Sequence, residues 1–223
     1  MDQQLAHSSR LRDGARAIAP LSIAAVAFAV SFGVLAEAAG MGAVAPIVMS
    51  ATTFAGSAQF AAASILDDGG GAAAAVTAAV LLNARYAPIS ISVAPGFRGS
   101  VARRLVESQL IVDESWAVSH RGGGRFDHRV LLGAGLLLYP CWVGGTVAGS
   151  VGGEFLGDPN ELGLDAAFPA LFLALLYPML RNRRTVTAAI GGAALALALT
   201  PLTPPGVPII AAAAVCLAGW RSS

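Results

Sequence analysis

Long uninterrupted apolar blocks constrain this chain more than any other feature. A helix needs roughly 20 apolar residues to cross the hydrocarbon core of a bilayer, and blocks approaching or exceeding that length recur along the sequence. Charged residues make up only 12% of the 223 positions, about half the share found in soluble globular domains. The sequence therefore predicts an all-α polytopic membrane protein in which residues 1–223 form a single transmembrane domain.

Seven apolar blocks are candidates for crossing the membrane. The first is too long for the apolar region of a cleaved signal peptide, so it is predicted to remain as a helix. An Arg-bearing arm (1–16) precedes it, and a polar central loop (97–128) divides the chain. The blocks cover residues 17–39, 41–66, 72–95, 130–152, 166–180, 186–200 and 207–220.

The distribution of arginine predicts the orientation, because short loops rich in Arg and Lys stay in the cytoplasm. Arginines occur in the arm, in the central loop, at residues 181–184 and at Arg221, whereas the Arg-free connections at residues 67–68 and 154–165 carry acidic residues. Both termini and the central loop are therefore predicted to be cytoplasmic. An even number of crossings must then separate the arm from the central loop, yet three apolar blocks lie between them.

The second block resolves this conflict if it enters the membrane and turns back. Residues 50–59, in its middle, are small and polar, which is unusual for a simple span. We expect the helix to break at Gly56 and Ser57, giving about six transmembrane helices plus one broken or re-entrant segment. Interrupted helices are tolerated at membrane depth where they are buried in protein or line a cavity, so the break also indicates a binding site.

The third block carries Arg85 near its centre, with Asn83 beside it. An arginine at that depth costs roughly 2.5 to 3.5 kcal/mol on insertion scales, so it must be paired or hydrated. Arg85 either faces an internal cavity and binds an anionic group, with Asn83 as a neutral donor and acceptor, or forms a structural ion pair, for instance with Glu37. Snorkelling from a shifted helix is a further alternative. Pro88 is expected to kink this helix.

Two interrupted helices at one depth are typical of secondary transporters that hold zwitterions. Ser57 and Gln59 would then supply polar side chains to the site. For Gln59, an interhelical hydrogen bond is an equally good interpretation.

Two further motifs have simpler interpretations. Gly145, Gly149 and Gly153 form a small-residue face for close helix packing, against a helix of this chain or of a separate subunit. The central-loop sequence 113–116, with nearby histidines, matches no metal signature and favours a solvated helix pair, with gating as the alternative. No metal or cofactor site is predicted.

The sequence argues against two other functional classes. None of the three histidines lies in an apolar block, so no serine there has a histidine as the base that a nucleophile needs, and the chain is not predicted to be an enzyme. A channel would be expected to show rings of like charge or a repeated carbonyl filter, and neither is visible.

Four stretches carry a family resemblance. They are residues 25–33, the sequence Phe-Ala-Gly-Ser-Ala-Gln-Phe at 54–60, Asn-Ala-Arg-Tyr at 83–86 and Asp-Glu-Ser-Trp at 113–116. In order and spacing they resemble the AzlC family of branched-chain amino acid permeases, and the agreement continues through residues 164–169.

The resemblance implies a secondary transporter that exports valine, leucine, isoleucine and, in a wider range, methionine across the bacterial inner membrane. It also implies proton coupling and a small AzlD-like membrane subunit as partner. The alternative is a channel or a non-transporting accessory membrane subunit.

An aliphatic amino acid would then place its carboxylate near Gly56, Ser57 and Arg85. Its side chain would lie against Phe28, Phe32 and Phe54. The candidates for proton coupling or gating are the carboxylates Glu37, Asp113 and Glu114.

Overall fold

A computed structural model describes most of the chain, namely residues 2–67, 69–152, 173, 176–177, 180, 182–203, 208 and 211–212. Within these residues the regular structure is helical, apart from one isolated bridge between His120 and Phe126. Most of the predicted blocks 166–180 and 207–220 lies outside the described residues, as does Gly153.

The described helices follow the predicted blocks. Three segments are long and apolar enough to cross a membrane, Arg10–Ala38, Ala72–Gly96 and His128–Gly152, and they match the first, third and fourth blocks. The protein is therefore a multi-pass membrane protein that is helical in the part of the chain that the structure describes. The helices are α1 Asp2–Ala38, α2 Val44–Thr52, α3 Gly56–Asp67, α4 Ala72–Asn83, α5 Tyr86–Val93, a 3₁₀ turn Ala94–Gly96, α6 Val101–Ser108, α7 Asp113–Ser119, α8 His128–Gly152 and α9 Arg183–Leu199.

The N-terminal arm is not separate from the first span. Helix α1 has 37 residues, or about 55 Å at 1.5 Å per residue, whereas the hydrocarbon core is roughly 30 Å thick. The arm 1–16 therefore continues the span as helix. Gly14 in the arm and Ile18 just after it are buried.

Helices α1 and α8 pack in parallel through glycines. A methyl group added to Gly145 would lie 2.8 Å from the carbonyl oxygen of Val26, and one added to Gly149 would collide with that of Val30. At the N-terminal ends of the two helices, a methyl group added to Gly14 would collide with the carbonyl oxygen of Val130. The predicted glycine face thus packs inside the chain, and the arm and the end of the central loop lie at the same end of the bundle.

Helices α2 and α3 form an interrupted pair beside α1. The break lies at residues 53–55, just before the predicted Gly56 and Ser57, which instead begin α3. Phe54 takes the unusual left-handed conformation, with φ 45°. It packs in the cluster that contains Phe28 of α1, whereas Ala63 of α3 packs in the cluster of Phe32 and Ala36. Helix α3 therefore runs back toward the C-terminal end of α1, where α2 began.

Helices α4 and α5 form one span that is broken in its middle. The break lies at Ala84 and Arg85, one turn before Pro88. A proline ring clashes with the carbonyl four residues earlier, and here Pro88 sits in the first turn of α5, where no backbone donor is needed. The expected interruption by Pro88 is thus found.

The central loop is not the solvated helix pair that the sequence favoured. Val112 is 5% exposed and packs with Ile18 and Ala134, and the hydroxyl groups of Ser115 and Ser119 are buried. The apolar side chain of Val112 draws the start of α7 into the helix bundle. This brings the acidic residues Asp113 and Glu114 to the depth of the helix breaks.

Candidate functional site

A small central cavity lies where the two helix breaks and α7 meet. Its volume is about 40 Å³, enough for a few water molecules. Seven of the predicted residues line it: Phe28, Phe54, Gly56, Ser57, Arg85, Asp113 and Glu114, together with Ala25, Tyr86, Val112, Leu138 and Trp142.

Arg85 pairs with a carboxylate of the central loop. Its Nη2 atom donates to Oδ2 of Asp113 at 2.8 Å, and each side chain is 18% exposed. The guanidinium also lies 5.1 Å from the ring centre of Tyr86. The ion pair faces the cavity, so Arg85 is both paired and cavity-facing.

Glu37, suggested from the sequence as an ion-pair partner of Arg85, does not pair with it. Glu37 is exposed at the C-terminal end of α1, roughly 13 Å along the helix axis beyond Phe28. Asp113 replaces it because α7 enters the bundle beside α4 and α5. The structure therefore separates Glu37 from the other two coupling candidates.

Glu114 brings a second carboxyl group to the cavity. It lies in α7, outside the membrane-spanning segments, and is half-buried. Burial, and then the neighbouring charge of Asp113, raise the pKa of Glu114 to about 7. A carboxyl group with that pKa exchanges its proton near neutral pH.

The N-terminal end of α3 supplies neutral donors. The first N–H groups of a helix have no partner within the helix and favour anions, and Gly56 and Ser57 bring the first turn of α3 to the cavity. The Ser57 hydroxyl is buried without a hydrogen-bond partner among the described residues. Asn83 Oδ1 is also buried and unpartnered there, but Asn83 does not line the cavity.

Gln59 does not reach the cavity. It is fully buried, and its Nε2 atom donates to Ser50 Oγ at 2.7 Å. Its Oε1 atom accepts from Trp142 Nε1 at 3.0 Å and from the backbone N–H of Ala55 at 3.2 Å. Ser50 in turn bonds Thr146 at 2.8 Å. The interhelical hydrogen bond is therefore the interpretation of Gln59 that the geometry favours.

The carbonyl end of α2 is also occupied by protein groups. Tyr139 Oη donates to the carbonyl of Ala51 at 2.7 Å, and Gln109 Nε2 donates to that of Thr52 at 3.0 Å. A bound cation therefore has the carboxylates of α7, rather than these carbonyls, as the available partners.

Five residues that line the cavity were not predicted as site residues from the sequence: Ala25, Tyr86, Val112, Leu138 and Trp142. Leu138 and Trp142 are one turn apart on α8 and both line the cavity. Their four-residue spacing was the available signal, but it is also typical of ordinary helix packing. Phe32 was expected at the cavity, and instead packs against Phe60, with ring centroids 5.7 Å apart.

Comparison with known proteins places this geometry in a family. The family model described as "AzlC protein" matches residues 20–156, which include every residue lining the central cavity. No solved structure matches the chain.

Similar proteins come from three organisms that are distant from one another. An "Uncharacterized membrane protein" of Archaeoglobus fulgidus is 33% identical over 97% of this chain and 97% of its own length. The "Branched-chain amino acid transport protein AzlC" of Bacillus subtilis is 27% identical over 76% of this chain and 67% of its own. An "Uncharacterized membrane protein" of Haemophilus influenzae is 25% identical over 78% and 75%.

Proposed function

Because the chain belongs to the AzlC family, we propose that it transports branched-chain amino acids and binds them in the central cavity. The relative from Bacillus subtilis is named for this transport. The observation that carries the proposal is the Arg85–Asp113 ion pair, which faces a cavity between two broken helices.

The cavity has a separate region for each part of an aliphatic amino acid. Arg85 and the N-terminal end of α3 suit the carboxylate, because both are donors that favour an anion. Asp113 and Glu114 suit the ammonium group. The apolar side is formed by Phe28, Phe54, Leu138, Trp142 and Val112.

Substrate entry requires this conformation to open. The cavity of about 40 Å³ is below the several hundred cubic ångströms usual for ligand pockets. Helix α7 is the element that moves, since it carries Asp113 and Glu114. It is held by the Arg85–Asp113 pair and by a hydrogen bond of 2.9 Å from Trp116 Nε1 to Ser92 Oγ. A zwitterion that binds Arg85 and Asp113 separately replaces their ion pair and frees α7.

Export driven by the proton gradient is the direction and coupling that we propose. Glu114 is the proton carrier that the geometry supports, because it lines the same cavity as Arg85 and has a pKa of about 7. Protonation removes its charge beside Asp113 and weakens binding of the substrate ammonium. Binding of the proton and of the substrate then oppose one another, as exchange across a membrane requires.

The proposed topology has six crossings and one re-entrant segment, α2–α3, with both termini in the cytoplasm of a bacterial inner membrane. Packing of Phe54 beside Phe28 and of Ala63 beside Ala36 supports the re-entrant path. The arm and the end of the central loop meet through Arg10 and Asp127, 3.3 Å apart, which supports a shared cytoplasmic side. A small AzlD-like membrane subunit is the proposed partner.

The test is transport by the full chain in sealed proteoliposomes, with and without the small subunit. Vesicles loaded with labelled leucine, valine, isoleucine or methionine are given a proton gradient, and efflux is measured. We expect efflux of the branched-chain substrates that increases with the gradient. Gradient-independent flux would indicate a channel, and no flux with either preparation would favour an accessory subunit and contradict the proposal.

A further inference from the structure

A second and larger cavity lies at the other end of α5, away from the amino-acid site. Its volume is about 700 Å³. It is formed where the arm of α1, the end of the α4–α5 span and the start of α8 meet, and we name it the arginine cavity. The arginines that line it are Arg10, Arg98, Arg103, Arg121, Arg125 and Arg129.

Carboxylates balance only part of this charge. Asp127 lies 3.3 Å from Arg10 and 3.9 Å from Arg121, and Glu107 lies 2.7 Å from Arg103. Within the part of the chain that the structure describes, the salt bridges include none to the remaining arginines of the cavity, Arg98, Arg125 and Arg129. The arginine cavity therefore carries an excess of positive charge.

Arg129 is the arginine of the cavity that carries an unsatisfied donor. Its Nη1 atom is buried and has no hydrogen-bond partner among the described residues. Leaving a buried neutral donor without a hydrogen-bond partner costs roughly 1 to 3 kcal/mol, and leaving a buried donor of a charged group without one costs more. Arg129 also lines the cavity, and a guanidinium is the side chain best suited to phosphate oxygens. An anion in the cavity would therefore lie beside a cation that has no salt bridge among the described residues.

Helix α6 indicates the depth of this cavity in the membrane. Val101 and Leu105, four residues apart on one helical face, are 70% and 66% exposed, while Arg103 on the same helix lines the cavity. A short helix with an apolar face and a basic face lies in the bilayer interface. The arginine cavity is therefore at the level of the phospholipid headgroups.

We propose that the arginine cavity binds phosphate groups, and that the headgroup of an anionic phospholipid supplies them. Its volume accommodates more than one phosphate, which favours a lipid with two phosphodiesters, such as cardiolipin. Basic cavities at the cytoplasmic ends of transmembrane helices bind headgroups of this kind. The proposal does not depend on which substrate the protein transports.

The test uses the purified full chain in a neutral detergent and measures thermal unfolding and lipid retention by native mass spectrometry. Cardiolipin, phosphatidylglycerol, phosphatidylcholine and inorganic pyrophosphate are the probes. We expect cardiolipin to bind at least tenfold more tightly than phosphatidylcholine, and Arg98→Gln and Arg129→Gln to weaken its binding about tenfold each. Arg104→Gln is the matched control, because Arg104 lies in α6, is exposed and does not line the cavity.

The outcomes are distinct. Equal cardiolipin affinity in wild type and Arg129→Gln would overturn the site. Pyrophosphate binding that depends on Arg129, without any lipid preference, would uphold the phosphate chemistry and overturn the lipid as its source. If Arg129→Gln does not fold, the exposed Arg125→Gln gives the same comparison, since Arg125 lies in the loop before α8 and its loss leaves the helices unchanged.

Discussion

Two polar clusters lie beside the two helix breaks and differ in what they can do: the first beside the break between α2 and α3, the second at the break between α4 and α5. The first, the Gln59 network, consists of Ser50, Gln59, Trp142 and Thr146, and the described hydrogen bonds join its members to one another. The second, the Arg85 cluster, consists of Arg85, Asp113 and Glu114 and faces the central cavity. The Gln59 network is neutral and closed, whereas the Arg85 cluster is charged and open to a ligand.

The difference separates residues that hold the break in place from residues that can bind substrate. A neutral buried network with every partner present makes its helices rigid. An ion pair beside a cavity can exchange one partner for a ligand of the same charge. Trp142 connects the two clusters, because its indole N–H donates to Gln59 while its ring lines the cavity.

The largest expected effect comes from Arg85→Gln. We expect leucine efflux per folded molecule to fall roughly 100-fold or more, equivalent to at least about 2.7 kcal/mol, because the substrate carboxylate loses its cationic partner. The measurement is efflux from proteoliposomes with protein content normalised by folded fraction. Arg104→Gln, an exposed arginine outside both cavities, should retain the wild-type rate.

A double variant distinguishes binding from folding. Arg85→Gln alone leaves the partly buried Asp113 without its partner, and about 3 to 5 kcal/mol, the cost of breaking a fully buried pair, is the upper bound of the loss. Arg85→Gln with Asp113→Asn should recover much of the thermal stability but none of the transport. If the double variant transports leucine at the wild-type rate, the Arg85 cluster is not the binding site.

The Gln59 network should respond in the opposite sense. Gln59→Leu leaves the indole N–H of Trp142 and the backbone N–H of Ala55 without a partner, at about 1 to 3 kcal/mol each. We expect a lower unfolding temperature in detergent, with little change in the KM for leucine of the folded fraction. A large increase in KM with unchanged stability would instead place Gln59 in the binding site.

The sequence predicted the part of the site that follows from the cost of polar groups in an apolar block. Arg85 and a break in the second block were identifiable because each is unfavourable in a simple span, although the break was expected at Gly56 and Ser57 and lies at residues 53–55. The central loop was not predictable in this way, since its charge density is typical of solvated segments. The burial of Asp113 depends on Val112 packing against Ile18 and Ala134, which come from α1 and α8. Gln59 was ambiguous for the same reason, because its partners come from α2 and α8.

Glu114 should set the pH dependence of the Arg85 cluster. Its pKa is raised from 4.5 to about 7 in the folded protein, so the folded state holds the extra proton. The resulting stabilisation is fully present below pH 4.5 and is lost as the pH rises through about 7. Glu114→Gln should remove this decline in thermal stability.

The same variant tests transport. We expect wild-type efflux to change about tenfold between pH 6 and 8, as a group with a pKa near 7 changes its charge over that range, and Glu114→Gln to show a flat profile. Glu37→Gln is the control, because Glu37 is exposed at the far end of α1. If Glu37→Gln alters the pH profile and Glu114→Gln does not, proton coupling depends on Glu37, and the proposal that Glu114 carries the proton is wrong.

The smallest expected effect is that of Ser57→Ala. Ser57 lines the cavity and its buried hydroxyl has no hydrogen-bond partner among the described residues, so we expect the hydroxyl to donate to the substrate once the cavity opens. One hydrogen bond of about 0.5 to 1.5 kcal/mol corresponds to a roughly two- to thirteenfold increase in KM for leucine. Ser150→Ala is the matched control: its hydroxyl is also buried and unpartnered within the described residues, but it packs near Gly33, outside the cavity. Both variants should keep or slightly gain stability, because each removes an unsatisfied buried hydroxyl. Only Ser57→Ala should weaken leucine binding, and an equal change of KM in the two variants would show that the hydroxyl acts through packing rather than through contact with the substrate.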